Sequence, residues 1–335
     1  MTNKIAFWYH NARPIALPQS LLPSITALAA ASGTESFSWL PAVLAVLGVG
    51  LAHLGMNLAD DWFDYKVHFG ETRQELASDG IRARVHKYPY LTSGQATPNQ
   101  LLAATAVFLL LAACIGGVLV WMRGITIVYL ALAAFIIGIS YSGKPFRLAF
   151  RGWGEAVIFL MFGPLCMTGV FYAATGVFSG KIAWISVAVG LLVANIVYTH
   201  SIMDAEPDRR MGKRTMAHLM GGTTGRILLS GVFNFVPYVL ITEGVLVKQL
   251  HWAYLFVWAV FPLSVWLVRS LHAFCSGRKE ENMQTRWWVA PQKDFEAYRQ
   301  AGIEWFMLRW LTARNIIMFF CFVLLAVSFI FPETW

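Results

Sequence analysis

The sequence predicts an all-α, polytopic membrane protein with about nine transmembrane helices around a central cavity. Composition is the first reason: 57% of the 335 residues are hydrophobic and 13% are charged. With a mean hydropathy of +0.57, that balance belongs to membrane chains and not to soluble two-domain enzymes. The second reason is that about nine windows hold the roughly 20 mostly apolar residues a spanning helix needs. The third is that lysine and arginine concentrate in alternate loops.

The first window, 15–33, follows Lys4 and Arg13. The second, 39–60, runs into an acidic cluster and then Lys66, Arg73, Arg82, Arg84 and Lys87. Only Arg123 separates 100–121 from 124–142, after which come Lys144, Arg147 and Arg151. Lys181 alone lies between 153–175 and 182–203. A second acidic cluster ends that window and leads into Arg209, Arg210, Lys213, Arg214 and Arg226. Lys248 separates 225–247 from 252–272, and eight basic residues from Arg269 to Arg314 accompany the approach to the last window, 313–331.

One side thus carries 23 of the 26 basic residues. The positive-inside rule then makes the N-terminus and the four long loops cytoplasmic. An odd number of spans sends the C-terminal Pro332-Glu-Thr-Trp335 to the opposite face. The expected location is a bacterial inner membrane. Met1 to Ala12 lacks a small-residue cleavage site behind a basic stretch, so the first apolar segment is expected to be retained. The net charge of +8 follows from this topology, and no nucleic-acid partner is expected. Cys114, Cys166, Cys275 and Cys321 lie far apart without CxxC or Cys/His spacing, which predicts neither a zinc site nor a disulfide framework. The whole chain, 1–335, reads as one transmembrane domain. Its 276–312 segment carries Trp287, Trp288, Trp305 and Trp310. Within it, Asp294 to Arg314 is expected to form an amphipathic helix at the interface, an anchor or a lid, before the last span.

The acidic clusters are Asn57-Leu-Ala-Asp60-Asp61-Trp-Phe-Asp64 and Asp204-Ala-Glu-Pro-Asp208-Arg-Arg-Met-Gly-Lys213. Carboxylates in a membrane helix are costly, about 2.5–3.5 kcal/mol each near its centre on insertion scales. On a helix, Asn57, Asp61 and Asp64 share one face, with Asp60 at its edge. Asp204 and Asp208 are i, i+4 neighbours, and His200 lies one turn earlier. Hard oxygen ligands at this spacing suit Mg²⁺, which shares its shell with water and substrate phosphates. Four helices separate the clusters, which predicts two four-helix halves plus a ninth helix, with the clusters facing each other across the cavity.

The second cluster runs on into Arg209, Arg210, Lys213 and Arg214. Metal-binding carboxylates beside cations for phosphate oxygens predict stabilisation of a departing diphosphate. Loss of diphosphate from an allylic carbon leaves a carbocation, which needs an apolar, water-poor pocket. A chain with 15% aromatic residues can supply one.

These residues resemble the UbiA superfamily of intramembrane aromatic prenyltransferases, most closely its 1,4-dihydroxy-2-naphthoate branch in menaquinone biosynthesis. Ala12-Arg-Pro-Ile-Ala-Leu-Pro18, the two acidic clusters through Thr215, and Tyr141-Ser-Gly-Lys-Pro145 with Gly154-Glu155 carry the likeness. The resemblance implies nine helices around a cavity, two Mg²⁺ ions, and polyprenyl transfer from a polyprenyl diphosphate to an aromatic acid. It implies metal and catalytic roles for Asp61, Asp64, Asp204 and Asp208, with Asn57 and possible Asp60 as further metal positions. Lys144, Lys213, Arg73 and Arg209 would bind diphosphate, while Arg13, Tyr141 and His200 would face the substrates. His200 stands where most relatives carry Asn, and the 276–312 segment is longer than usual. Imidazole is a poor Mg²⁺ ligand, so His200 is expected to hydrogen-bond the diphosphate or acceptor, or to pack as a satisfied histidine. Transfer to 4-hydroxybenzoate or another ring is the alternative within this reaction, and secondary transport is a remote one.

Overall fold

The computed structural model describes residues 4–66, 88–277, 288 and 292–332. Among these, every regular element is helical apart from one isolated bridge between Arg151 and Arg214. In chain order the principal helices are α1 (Lys4–Asn11), α2 (Pro18–Ala31), α3 (Trp39–Tyr65), α4 (Pro98–Arg123) and α5 (Thr126–Ser142). They continue with α6 (Gly154–Thr175), α7 (Gly180–Met203), α8 (Thr223–Leu246), α9 (Trp252–Cys275), α10 (Gln292–Gln300) and α11 (Glu304–Ile330). Seven of them (α3, α4, α6, α7, α8, α9 and α11) are long and apolar enough to cross a membrane. The protein is therefore an integral membrane protein. The windows expected at 15–33 and 124–142 fall on the shorter helices α2 and α5, so seven of the nine expected spans have full spanning length.

Local chemistry sets several boundaries. Thr97 accepts a hydrogen bond from the Gln100 amide at 3.3 Å while Gln100 Oε1 accepts from the Thr97 amide at 2.9 Å. This capping box, with Pro98 at the first helical position, fixes the start of α4. Pro164 lacks an N–H, and α6 accommodates it with a π-type turn over Met161–Leu165. There α6 approaches α7 closely. A Cβ on Gly163 would come 2.5 Å from the Gly190 Cα, so only glycine permits this contact between membrane helices.

The centre of the bundle is α7, which packs on α6, α8 and α11. Leu192, Val193, Ala194, Ile196 and Tyr198 on it are buried. The last helix, α11, packs against α2 as well as α7 and α9, and so brings the end of the chain against its beginning. Buried polar pairs join neighbours. Asn195 on α7 and Asn234 on α8 exchange amide hydrogen bonds at 3.0 and 2.8 Å. Tyr238 pairs with Ser264, and Tyr254 with Ser328, each at 2.9 Å. On the outside, α4 and α5 present Leu110, Trp121, Tyr129 and Leu132, as lipid-facing helices should.

The amphipathic helix expected over 294–314 is corrected. A break at Gly302, with φ +65°, separates α10 from α11, and the last span starts at Glu304 instead of 313. Burial explains the difference: Trp305, Phe306, Leu308 and Arg309 are enclosed by the bundle. The Trp305 ring stacks on Phe274 at 5.5 Å, and Arg309 Nη1 donates to the Trp305 carbonyl at 2.6 Å. Residues 278–291 lie outside the described residues, except Trp288.

Candidate active site

The C-terminal turns of α3 and the segment after α7 meet at one end of a cavity of about 1400 Å³. Helix α3 continues to Tyr65, so Asn57, Asp60, Asp61 and Asp64 all sit on regular helix and all line the cavity. Asp61 and Asp64 are buried. Buried carboxylates need hydrogen-bonded or charged partners, and residues distant in sequence provide them. Arg13 Nη2 lies 3.2 Å from Asp60 Oδ2 and 3.3 Å from Asp61 Oδ1. It also donates to the Asn57 carbonyl at 2.8 Å. The Tyr90 hydroxyl donates to Asp61 Oδ2 at 2.8 Å, and the Ser142 hydroxyl donates to Asp60 Oδ1.

Arg13 achieves this reach from a left-handed backbone conformation, φ 59° and ψ 58°. For a residue with a Cβ this costs about 1–3 kcal/mol, offset here by three contacts from one guanidinium. Burial works against the Arg13 charge, but the carboxylates of Asp61 and Asp60 outweigh it and raise its pKa. Burial, and then Asp61, push the Tyr90 phenol above its ordinary value, which keeps it a neutral donor.

The second wall begins where α7 ends, at Met203, and a short helix follows over Ala205–Arg210. His200 Nε2 donates to Asp204 Oδ2 at 2.8 Å, and its ring meets Phe306 edge-on at 5.2 Å. Asp204 is buried and is not among the cavity-lining residues, whereas Asp208 is. Lys213 Nζ lies 3.5 Å from Asp208 Oδ2 and 5.6 Å from the Phe150 ring centre. Its amide donates to the Asp208 carbonyl at 2.9 Å, closing the turn that brings the lysine back. Between the walls, Tyr141 lines the cavity, as do Glu155 and Ser201, whose hydroxyl donates to Glu155 Oε1 at 2.7 Å.

The expected cations divide. Arg13 and Lys213 line the cavity, but Lys144 is exposed and does not. Arg209 is exposed too and pairs with Glu206 at 3.1 Å. Hydrogen bonds from Arg210 and Arg209 lower the Glu206 pKa, which marks a solvated surface cluster. Arg73 lies outside the described residues. Tyr90, Ser142, Ser201 and His53 join the site without having been singled out in the sequence. Only His53 carried a local signal, since it continues the one-turn ladder of Asn57 and Asp61. The other three depend on long-range packing.

Among the described residues no three His, Cys, Asp or Glu side chains converge to hold a metal alone. The carboxylates at the polar end, which take protein cations in Arg13 and Lys213, nevertheless offer hard oxygen donors. That set fits Mg²⁺, which completes its shell with water and phosphate oxygens and needs no protein cage. Beyond this end the cavity is apolar, lined by Ala45, Ala52, Leu119, Ile127, Phe162 and Val170. From Asp61 back to Ala45 along α3 is about 24 Å at 1.5 Å per residue. The site thus joins an anion-binding, cation-binding end to a long hydrocarbon-compatible arm.

Residues 20–290 match the profile of the UbiA prenyltransferase family. The chain is 27% identical over 235 residues to a 1,4-dihydroxy-2-naphthoate octaprenyltransferase from Mycobacterium tuberculosis, covering 68% of this chain and 74% of that protein. It is 30% identical over 218 residues to a 2-carboxy-1,4-naphthoquinone phytyltransferase from Synechocystis, covering 64% of this chain and 65% of the relative. In fold it resembles a UbiA homolog from Archaeoglobus fulgidus bound to GPP and Mg²⁺. The TM-score is 0.56 at 17% identity, over 92% of this chain and 99% of the other.

Proposed function

This chain belongs to the UbiA prenyltransferase family, and from that premise we propose that it transfers a polyprenyl group from its diphosphate to 1,4-dihydroxy-2-naphthoate. It is an enzyme that works within the membrane. The observation that carries the reading is the convergence of Asp60, Asp61, Asp64 and Asp208 with Arg13 and Lys213 at the polar end of one otherwise apolar cavity. The relatives' acceptors, both naphthalene-derived by name, support the choice of ring.

Asn57, Asp61, Asp64 and Asp208, with Asp60 at the edge, are the residues that would hold two Mg²⁺ ions. Bound there, Mg²⁺ supplies positive charge to the diphosphate as its allylic C–O bond breaks. Lys213 and Arg13 turn from their carboxylates toward the diphosphate oxygens and stabilise the departing charge. The amide nitrogen of Asn57 donates to the Ala12 carbonyl at 3.0 Å, which leaves its amide oxygen as the group able to meet a cation. His200 holds Asp204 and, through that pair, fixes the start of the Ala205–Arg210 turn that presents Asp208. The apolar arm takes the prenyl chain and keeps water from the carbocation. A ring carbon then forms the new C–C bond and its carboxyl leaves as CO₂, returning the bonding electrons to the ring. The polar end faces the cytoplasm, as the loop charges require.

The test is a membrane assay with a polyprenyl diphosphate and a panel of hydroxylated aromatic acids, with and without EDTA, read by mass spectrometry. A decarboxylated prenyl-naphthalenediol that disappears with EDTA is the expected result. Prenylation of another acid alone would overturn the acceptor, and metal-independent product would overturn the Mg²⁺ assignment.

A further inference from the structure

His53 lies two turns before Asp61 on α3, about 12 Å deeper along the helix, and lines the cavity. The ring of Phe162 packs beside it, its centre 5.0 Å from the imidazole. A polar ring at this depth needs a reason.

One hydrogen bond anchors the ring. The Ser20 hydroxyl, buried on α2, lies 2.7 Å from His53 Nδ1 and 3.1 Å from the Leu17 carbonyl. That carbonyl already accepts from the Ser20 and Leu21 amides at 2.9 and 2.8 Å, and either neutral tautomer of the imidazole satisfies the Ser20 pair. Among the described residues Ser20 is the one hydrogen-bond partner of this ring, so the protein uses Nδ1 and leaves Nε2 on a cavity-lining side chain for a further hydrogen bond.

We propose that His53 is a specificity-determining residue: its Nε2 hydrogen-bonds a hydroxyl of the aromatic acceptor and seats the ring between the diphosphate end and the apolar arm. This rests on the function proposed above. A hydroxyl both donates and accepts, so it pairs with Nε2 in either neutral tautomer of the imidazole. A prenyl chain has no polar group, so the ring and not the chain is the ligand this atom recognises.

Two substitutions separate this role from a simple tie between α2 and α3. In His53→Asn the short amide reproduces Nδ1 and keeps the Ser20 contact but withdraws the cavity-side hydrogen-bonding atom. In His53→Gln the longer amide reproduces Nε2 and loses the Ser20 contact. Steady-state kinetics on the full-length enzyme, varying each substrate in turn, give the readout. His53→Asn should raise the KM for the naphthoate roughly three- to tenfold, the cost of one lost hydrogen bond, with the KM for the prenyl diphosphate unchanged. His53→Gln should restore the naphthoate KM. The reverse order, Gln impaired and Asn normal, would reduce His53 to a helix tie and overturn the proposal. So would wild-type kinetics in both variants, or equal rises in both KM values. A wild-type enzyme that prenylates no hydroxylated ring would instead overturn the proposed function, and this inference with it, before any variant is made.

Discussion

Arg13 and Asn57 hold each other's backbone: the guanidinium donates to the Asn57 carbonyl at 2.8 Å, and the Asn57 side-chain amide donates to the Ala12 carbonyl at 3.0 Å. This clasp pins the chain before α2 to the acidic turns of α3 and sets the Arg13 fork over Asp60 and Asp61. In the metal-free protein the arginine supplies the positive charge those carboxylates need. Arg13→Ala should therefore destabilise the protein by roughly 1–2 kcal/mol in EDTA. That is less than for a fully enclosed pair because the side chain is 38% exposed. Added Mg²⁺ should recover part of the loss, as the ions take over the carboxylate charge. Thermal melts of detergent-solubilised protein, with and without Mg²⁺, check this; equal losses in both conditions would contradict it.

Asp61 and Asp208 come from opposite walls of the cavity, and each should be indispensable. Asp61→Ala or Asp208→Ala should lower turnover at least ~10³-fold while membrane insertion and expression persist. Asp204→Asn keeps an acceptor for His200 and removes no cavity-lining charge, so its loss should be smaller. A product assay on matched amounts of folded protein ranks the three. Undiminished product from the Asp61 or Asp208 variant would remove the metal assignment.

Lys213 and Arg209 sit four residues apart in the chain but in different surroundings. Lys213 lines the cavity beside Asp208, whereas Arg209 is exposed beside Glu206. Lys213→Ala should cost roughly 10²-fold or more in kcat/KM for the prenyl diphosphate. Arg209→Ala should change it by less than about threefold, as surface ion pairs contribute little. Lys144→Ala should behave like Arg209→Ala. A large effect at either exposed position would show that the cation reaches the site when substrate is bound.

Tyr90 gives a pH dependence with a definite sign. Its phenol pKa lies above the ordinary value near 10 because of burial and the Asp61 carboxylate. The folded protein thus holds this proton more tightly than the unfolded chain. The corresponding stability is fully present below pH ~10 and is lost as the pH rises above it. Wild-type melting temperature should fall above pH ~10 more steeply than that of Tyr90→Phe, which has no proton to lose. Parallel curves would show that the Tyr90–Asp61 bond is not maintained in solution.

Much of the site is written locally. The one-turn spacing of Asn57, Asp61 and Asp64 puts them on one helix face whatever the rest of the chain does, and all three line the cavity. The order of apolar windows likewise places every principal membrane helix, because the length and polarity of a segment decide whether it can enter a bilayer. The start of α11 was not legible. Trp305, Arg309 and Trp310 read as an interfacial pattern in isolation, and only the burial of Trp305 and Arg309 against α9 shows that they belong to the last span.

The sequence by itself determined the membrane class, the two acidic walls and their one-turn geometry, since these follow from hydropathy and helix periodicity over a few residues. The tertiary structure alone decided which charges meet. It set Arg13 on Asp60 across 47 positions and Ser142 on Asp60 across 82. It also turned Asp208 and Lys213 toward the cavity, Asp204 toward His200, and Lys144 and Arg209 outward. Such pairings depend on how helices pack across the bundle, and the spacing of residues along one helix carries no record of the residues that a neighbouring helix will bring against it.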